Sequence, residues 1–273
     1  MKKFWILIGL VVNFCFSSAG QKVSSISEDA KFKLFYSLEF KQDTLDLDYS
    51  RKEKMVLLVG ETISKFLSYG NYFMDSTSMA NPEMNFDLYL SLNPPRIIHH
   101  FQVFKLFDSG NMLTVDRVFA DSFQYSEMIN NIQWEITNST EIILGYKAQK
   151  AIGKFGGRTW NAWFTTEIPL SNGPYKFHGL PGLIIKVFDS QNHYVFELES
   201  FQEVRPNNEK IFLRRGNYIQ TSKRDFFDVR EKFRQDAIAG ILTSGMPVHE
   251  STDLNRIQDN QRRRNNPIEL TAD

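Results

Sequence analysis

Cysteine is nearly absent from this chain of 273 residues. Its single thiol, Cys15, lies inside the apolar run Phe4 to Phe16, so the sequence beyond it offers no disulfide, no thiolate metal site and no cysteine nucleophile. An excess of either charge is missing too. The 32 Lys and Arg balance 32 Asp and Glu, which excludes the broad basic field that holds nucleic acid. There is no GxSxG elbow, phosphate-binding glycine loop, dinucleotide fingerprint or HExxH pair. Of the five histidines, only His99 and His100 are adjacent, and neighbours on a strand point to opposite faces, so they do not chelate one ion. No cofactor and no metal are expected.

What is present first is an export signal. Lys2 and Lys3 precede the apolar run, and Ser17-Ser18-Ala19-Gly20 supplies the small residues of a cleavage site, so residues 1–20 read as a signal peptide rather than a membrane anchor. Bulky Phe14 ahead of Cys15 argues against lipidation. The chain is therefore expected to be exported, to the periplasm, the outer membrane or beyond. Residues 21–248 should form one β-rich domain, opening on a frayed leader, and residues 249–273 a polar, solvated tail that includes Arg262-Arg263-Arg264.

Alternation with period two dominates the domain. Leu34, Tyr36, Leu38 and Phe40 share one side of a strand, and further strands are predicted over Met55 to Val59, Ile63 to Tyr69, Ile97 to Phe107, Met112 to Phe119, Gln133 to Thr137 and Thr140 to Lys150. Residues 70–95 read as a loop with one short helix near Glu83 to Leu90. Gly156-Gly157 and Asp189-Ser190-Gln191-Asn192 mark hairpins. A helix is predicted over Lys223 to Leu242, capped at Thr221-Ser222 and packed on the sheet. The fold class is thus β-rich α+β, a bent antiparallel sheet with a C-terminal helix against it. The order of hairpins resembles the half-barrel of periplasmic lipoprotein carriers, a likeness of fold alone.

Gly179-Leu180-Pro181-Gly182-Leu183-Ile184 spells GLPGLI. With Trp163 to Pro169, Gly173 to Phe177, Gly145-Tyr146-Lys147 and Asn266-Pro267-Ile268-Glu269-Leu270, it resembles the GLPGLI family of exported Bacteroidetes proteins, over most of the chain. Ala148 departs from it where members often carry cysteine. The resemblance implies a cell-envelope protein, in a setting often shared with TonB-dependent outer-membrane transport, and no biochemical activity. Physically the motif is a turn feeding a strand, and Pro181-Gly182 suits the central pair of a type II turn.

Aromatic residues are plentiful, with 24 Phe, 10 Tyr and 4 Trp. Trp160, Ala162 and Phe164 share one face of a strand and Trp163 takes the other, so the two indoles need two apolar environments. Trp160, Trp163, Phe164 and the motif-adjacent His178 are the candidate binding residues. The leading functional expectation is a non-catalytic envelope protein that binds a lipid or other hydrophobic ligand, or an outer-membrane transport protein. One alternative is a hydrolase using dispersed carboxylates among Asp46, Asp48, Asp116, Glu167 and Asp189. The other is a structural module of a surface transport complex.

Overall fold

The computed structural model describes residues 26–129 and 132–272; the signal-like segment 1–20, with Cys15, lies outside the described residues. Along the chain come β1 (Ser27–Asp29), β2 (Phe32–Phe40), β3 (Arg51–Val59), β4 (Ile63–Ser68), α1 (Tyr69–Ala80), α2 (Phe86–Ser91), β5 (Gln102–Leu106), β6 (Asn111–Val118) and β7 (Asp121–Met128). Then follow β8 (Trp134–Ile143), β9 (Tyr146–Phe155), β10 (Arg158–Thr165), β11 (Leu183–Asp189), β12 (Tyr194–Glu203), β13 (Lys210–Phe212), β14 (Ile219–Gln220), α3 (Lys223–Gln235), α4 (Ala237–Thr243) and α5 (Leu254–Arg262).

Twelve strands make one bent, unclosed sheet in the order β14, β7, β6, β5, β4, β3, β2, β12, β11, β10, β9, β8. Two antiparallel meanders, β2 to β7 and β8 to β12, join along β2 and β12, where Phe40 faces Tyr194 and Phe32 faces Glu203. The expected antiparallel sheet is found, except that β14 adds to β7 in parallel, so the sheet is mixed. Hairpin chemistry is local: Leu144-Gly145 and Gly156-Gly157 hold positive φ at both positions, as two-residue turns with the right-handed twist of their strands require.

The alternation expected of β2 is observed, with Leu34, Tyr36, Leu38 and Phe40 buried on the inner face. Inner residues of β2, β3, β6, β9, β10 and β12 meet in a single core cluster, which identifies that face as concave. The segment between β10 and β11 crosses this hollow and fills part of it with Ile168, Tyr175, Phe177 and Leu180. Fully buried Phe177 lies 4.6 Å from the Trp160 ring and 6.0 Å from that of Phe196, centroid to centroid. On the convex face Val56, Leu58, Leu67, Phe104 and Leu113 are covered by Ile26, Ala30, Ile211 and the α1 residues Tyr69 and Tyr72.

Buried cations tie the crossing segment down. Lys105 Nζ donates to Asn172 Oδ1, Gly173 O and Phe177 O at 2.8, 2.7 and 2.9 Å, and burial pushes its ammonium well below the ordinary lysine value. Lys176 reaches Glu269 at 2.7 Å and Glu127 at 2.9 Å, while Lys223 reaches the same two carboxylates at 2.6 and 3.1 Å. Burial alone would lower Lys176, but Glu269 foremost among its neighbours outweighs that and raises it.

Several expectations are corrected. Residues 69–80, read largely as loop, form α1: Ser68 caps it by accepting the Asn71 N–H at 3.2 Å, and Asp75 pins it to buried Lys65 at 2.7 Å. The long C-terminal helix breaks at Asp236 into α3 and α4. Gln258 of α5 holds the break, accepting the Ala237 N–H at 2.6 Å and donating to Arg234 O and Gln235 O at 3.2 and 3.0 Å. The stretch Gln133 to Lys150 turns at Leu144-Gly145 rather than near residue 138, so β8 continues to Ile143, with its register on β9 shifted between Ile136 and Thr140. Part of the expected leader is β1, paired to β13. The solvated tail is corrected as well: 254–262 is α5, and 265–270 is a strap on the concave face. There Asn266 N–H donates to Gln42 O at 3.1 Å, Leu270 N–H to Gly156 O at 2.7 Å, and Glu269 is buried.

The GLPGLI turn is not type II. The Gly182 N–H donates to Leu180 O at 2.8 Å, closing a three-residue turn about Pro181. Glycine is needed because a Cβ at 182 would stand 2.1 Å from the Thr165 carbonyl oxygen. Gly182→Ala is therefore expected to destabilise the protein by about 1–3 kcal/mol, read as a lowered urea midpoint with an unchanged slope. An unaltered midpoint would refute the close approach.

Candidate functional site

The crossing segment fills only part of the hollow. The remainder is a cavity of about 950 Å³ between the concave sheet, α3, α4, α5 and the strap. Its sheet wall includes Phe40, Phe101, Thr114, Asp116 and Val118, and its helical wall Phe227, Phe233, Ile241 and Ile257. Alternation explains the first set: Met112, Thr114, Asp116 and Val118 are every second residue of β6 and face inward. The second set is positioned by Phe226, which α3 seats 5.7 Å from Phe123 and 5.4 Å from Tyr125. The expected packing of a C-terminal helix on the sheet is thus observed, in α3.

Polar and charged side chains share the lining with these apolar ones. Glu53 on β3 accepts the Ile98 and His99 backbone N–H groups at 2.8 and 3.0 Å and lies 2.6 Å from His99 Nδ1. The carboxylate engages Nδ1, which leaves Nε2 as the other nitrogen of a ring that lines the cavity. Asp116 accepts the Arg117 N–H at 2.7 Å. Burial raises its carboxyl above the usual range, and the Arg117 N–H, then Arg230 and His99, only partly offset this. The Thr114 hydroxyl, on a residue 1% exposed, has no hydrogen-bond partner among the described residues. Arg117, Arg224, Arg230, Arg234 and Arg264 outnumber the lining acids Asp116, Asp228 and Glu231.

None of the candidate binding residues lines this cavity. Trp160 and Phe164 are 0% and 1% exposed, so they are core and present no binding surface. Trp163 is half-buried on the opposite face, between Lys150 of β9 and Lys186 of β11. His178 is buried with Nδ1 3.0 Å from Lys176 O, while its own carbonyl accepts the Trp134 indole N–H at 2.8 Å. Burial, then Lys105, push its imidazole down to about 4. Gly179 to Ile184 shape the end of the crossing segment, with Leu180, Leu183 and Ile184 in the core.

The dispersed carboxylates do not converge. Asp46 and Asp48 are exposed, Glu167 accepts the Lys147 N–H at 2.8 Å, and Asp189 is paired with Arg158 at 3.0 Å. Only Asp116 faces the cavity. Among the described residues no group of three or more His, Cys, Asp or Glu could hold a metal ion, and no helix is long and apolar enough to cross a membrane. Sequence reasoning missed Glu53, His99 and Thr114. A usable signal was the polar Thr114 and Asp116 on the inward side of β6.

Residues 156–186 match a family model described as a protein of unknown function (Porph_ging). This short stretch runs from the Gly156-Gly157 hairpin through the GLPGLI turn into β11. No curated protein matches. Among solved structures, PNGF-II in two space groups is 13% identical, with TM-scores of 0.49 and 0.48. The matches cover 76% and 77% of this chain but 34% of those chains, so the protein spans about a third of their length.

Two outcomes follow from these placements. Trp160→Ala should cost about 3–5 kcal/mol, and Trp163→Ala well under half of that, in chemical denaturation; equal losses would contradict the assignment of faces. For His178 the folded value lies below the ordinary 6.5. Its contribution to stability is full above that value and lost as pH falls toward about 4. The denaturation midpoint should decline over this window in the wild type and more weakly in His178→Gln; parallel profiles would exclude His178 as the cause.

Proposed function

We propose that the protein is a non-catalytic cell-envelope component that binds a hydrophobic ligand in the cavity under α3, α4 and α5. The observation that carries this reading is the cavity itself: about 950 Å³ of space on the concave face, in which an apolar wall of Phe40, Phe101, Phe227, Phe233, Ile241 and Ile257 stands beside polar and charged side chains. The unpartnered Thr114 hydroxyl supports it, since a ligand acceptor or donor would satisfy it. The signal-like residues 1–20 and the resemblance to exported GLPGLI proteins supply the envelope and the association with outer-membrane transport.

A second reading, hydrolysis, is favoured by one observation: the Glu53-oriented His99 and the raised carboxyl of Asp116 face the same cavity. One experiment separates the two. Protein purified natively from envelope fractions is extracted with solvent for mass spectrometry, and binding of a fluorescent apolar probe is titrated for wild type and Ile257→Trp. Carriage predicts a co-purified apolar molecule recovered intact and at least tenfold weaker probe binding in the space-filling variant at unchanged Tm. If the wild type retains nothing and binds no probe, the reading fails. Cleavage of envelope lipids that His99→Asn abolishes would establish hydrolysis in its place.

A further inference from the structure

Arg51, Arg96 and Arg264 come from three distant parts of the chain to one end of the cavity. Arg264 lines the cavity itself, and Arg51 donates to Gln42 Oε1 at 2.7 Å while its guanidinium lies 5.8 Å from the centroid of Phe40; Gln42 and Phe40 are both lining residues. Arg51 and Arg96 line an adjoining hollow of about 400 Å³, and Ile98 belongs to both spaces. Among the described residues the one carboxylate lining that hollow is Glu53, a single acid beside Arg51 and Arg96. Lys52 beside them is paired with Glu39 at 3.1 Å and Lys54 with Glu199 at 3.8 Å, and Glu53 is engaged by His99. The side chains of Arg96 and Arg264 have no partner among the described residues.

Like charges in excess of their counter-ions repel, and burial together with Arg51 and Arg96 lowers the Arg264 guanidinium below its ordinary value. The chain as a whole has zero formal charge, so the cluster is a local excess and not part of a general basic surface. Guanidinium groups offer forked donors that match carboxylate or phosphate oxygens two at a time. A cavity with an apolar stretch at Phe40, Phe101 and Ile257 and such groups at one end fits a molecule with an apolar body and one acidic end.

We infer that the ligand of the cavity is an amphipathic anion, a carboxylate or phosphate monoester on a hydrocarbon body, whose charged end is seated by Arg51, Arg96 and Arg264. This rests on the binding reading above and adds the chemical class to it. The ligand enters as a single molecule, with its body among Phe40, Phe101 and Ile257.

Calorimetric titration at low salt compares oleate, oleyl alcohol, inorganic phosphate and phosphatidylglycerol vesicles, for wild type and an Arg96→Gln/Arg264→Gln variant. Oleate should bind at least tenfold more tightly than oleyl alcohol, and the variant, at unchanged Tm, should lose that preference while still binding the alcohol. Equal binding of oleate and the alcohol by the wild type overturns the anion inference but leaves the cavity reading standing. Binding of neither overturns the cavity reading itself. Phosphate alone binding as tightly as oleate, or attachment to vesicles without uptake of oleate, overturns the inference in favour of an isolated anion site or a membrane headgroup.

Discussion

Lysine ammonium groups inside a hollow of apolar side chains set the architecture of this protein. A bent twelve-stranded sheet exposes a concave face too wide for its own side chains to fill, so chain must be laid across it. Chain without ladder partners carries unpaired carbonyls, and those carbonyls need donors. Lys105 supplies two such bonds, to Gly173 O and Phe177 O, and a third to the Asn172 side chain, and Lys176 carries the crossing segment onto Glu127 of β7 and Glu269 of the strap. The square of Lys176, Lys223, Glu127 and Glu269 is neutral as a unit, which is how four ionised groups tolerate burial. The square ties the strap and α3 to β7 and the crossing segment at one position.

Arg158 does the same work at the other hairpin. Its guanidinium bonds to Asp189 and to the Ile268 and Pro267 carbonyls, at 3.0, 3.1 and 2.7 Å. Gly156 completes the seat: it provides the positive φ of the β9–β10 turn, and a Cβ there would lie 2.7 Å from Glu269 Cγ. The strap and α5 together hold the helices over the part of the hollow that the crossing segment leaves empty. The cavity is thus a consequence of how the bend is filled: dry and packed around Phe177, open beside Phe40, Asp116 and Phe227.

That division decided which aromatic residues are available to a ligand. Trp160 and Phe164 stood out in the sequence because they are large and alternate on one strand, yet large alternating residues on a concave face are the first to be absorbed into core. Residues that line the cavity are individually modest, such as Thr114, Ile257 and His99, and come from separate elements. Glu53 illustrates the difficulty: its partners Ile98 and His99 are brought to it only when the β4–β5 connection folds back over β3.

The sequence by itself determined the strands and most of their turns. Period-two burial along Leu34 to Phe40 and along β10, and the positive φ of the Gly156-Gly157 pair, are set by local sterics that act before distant contacts form. It also determined the β-rich α+β class with a helix on the sheet. Only the tertiary structure decided that Tyr69 to Ala80 is helical, since the anchor there is Asp75 on Lys65 and Arg214. It likewise decided that Gly182 answers to the Thr165 carbonyl and that the polar stretch after residue 249 ends as a buried strap. Each of these depends on a charge or carbonyl far along the chain, and a polar residue's sequence does not say whether its partner will be water or a buried lysine.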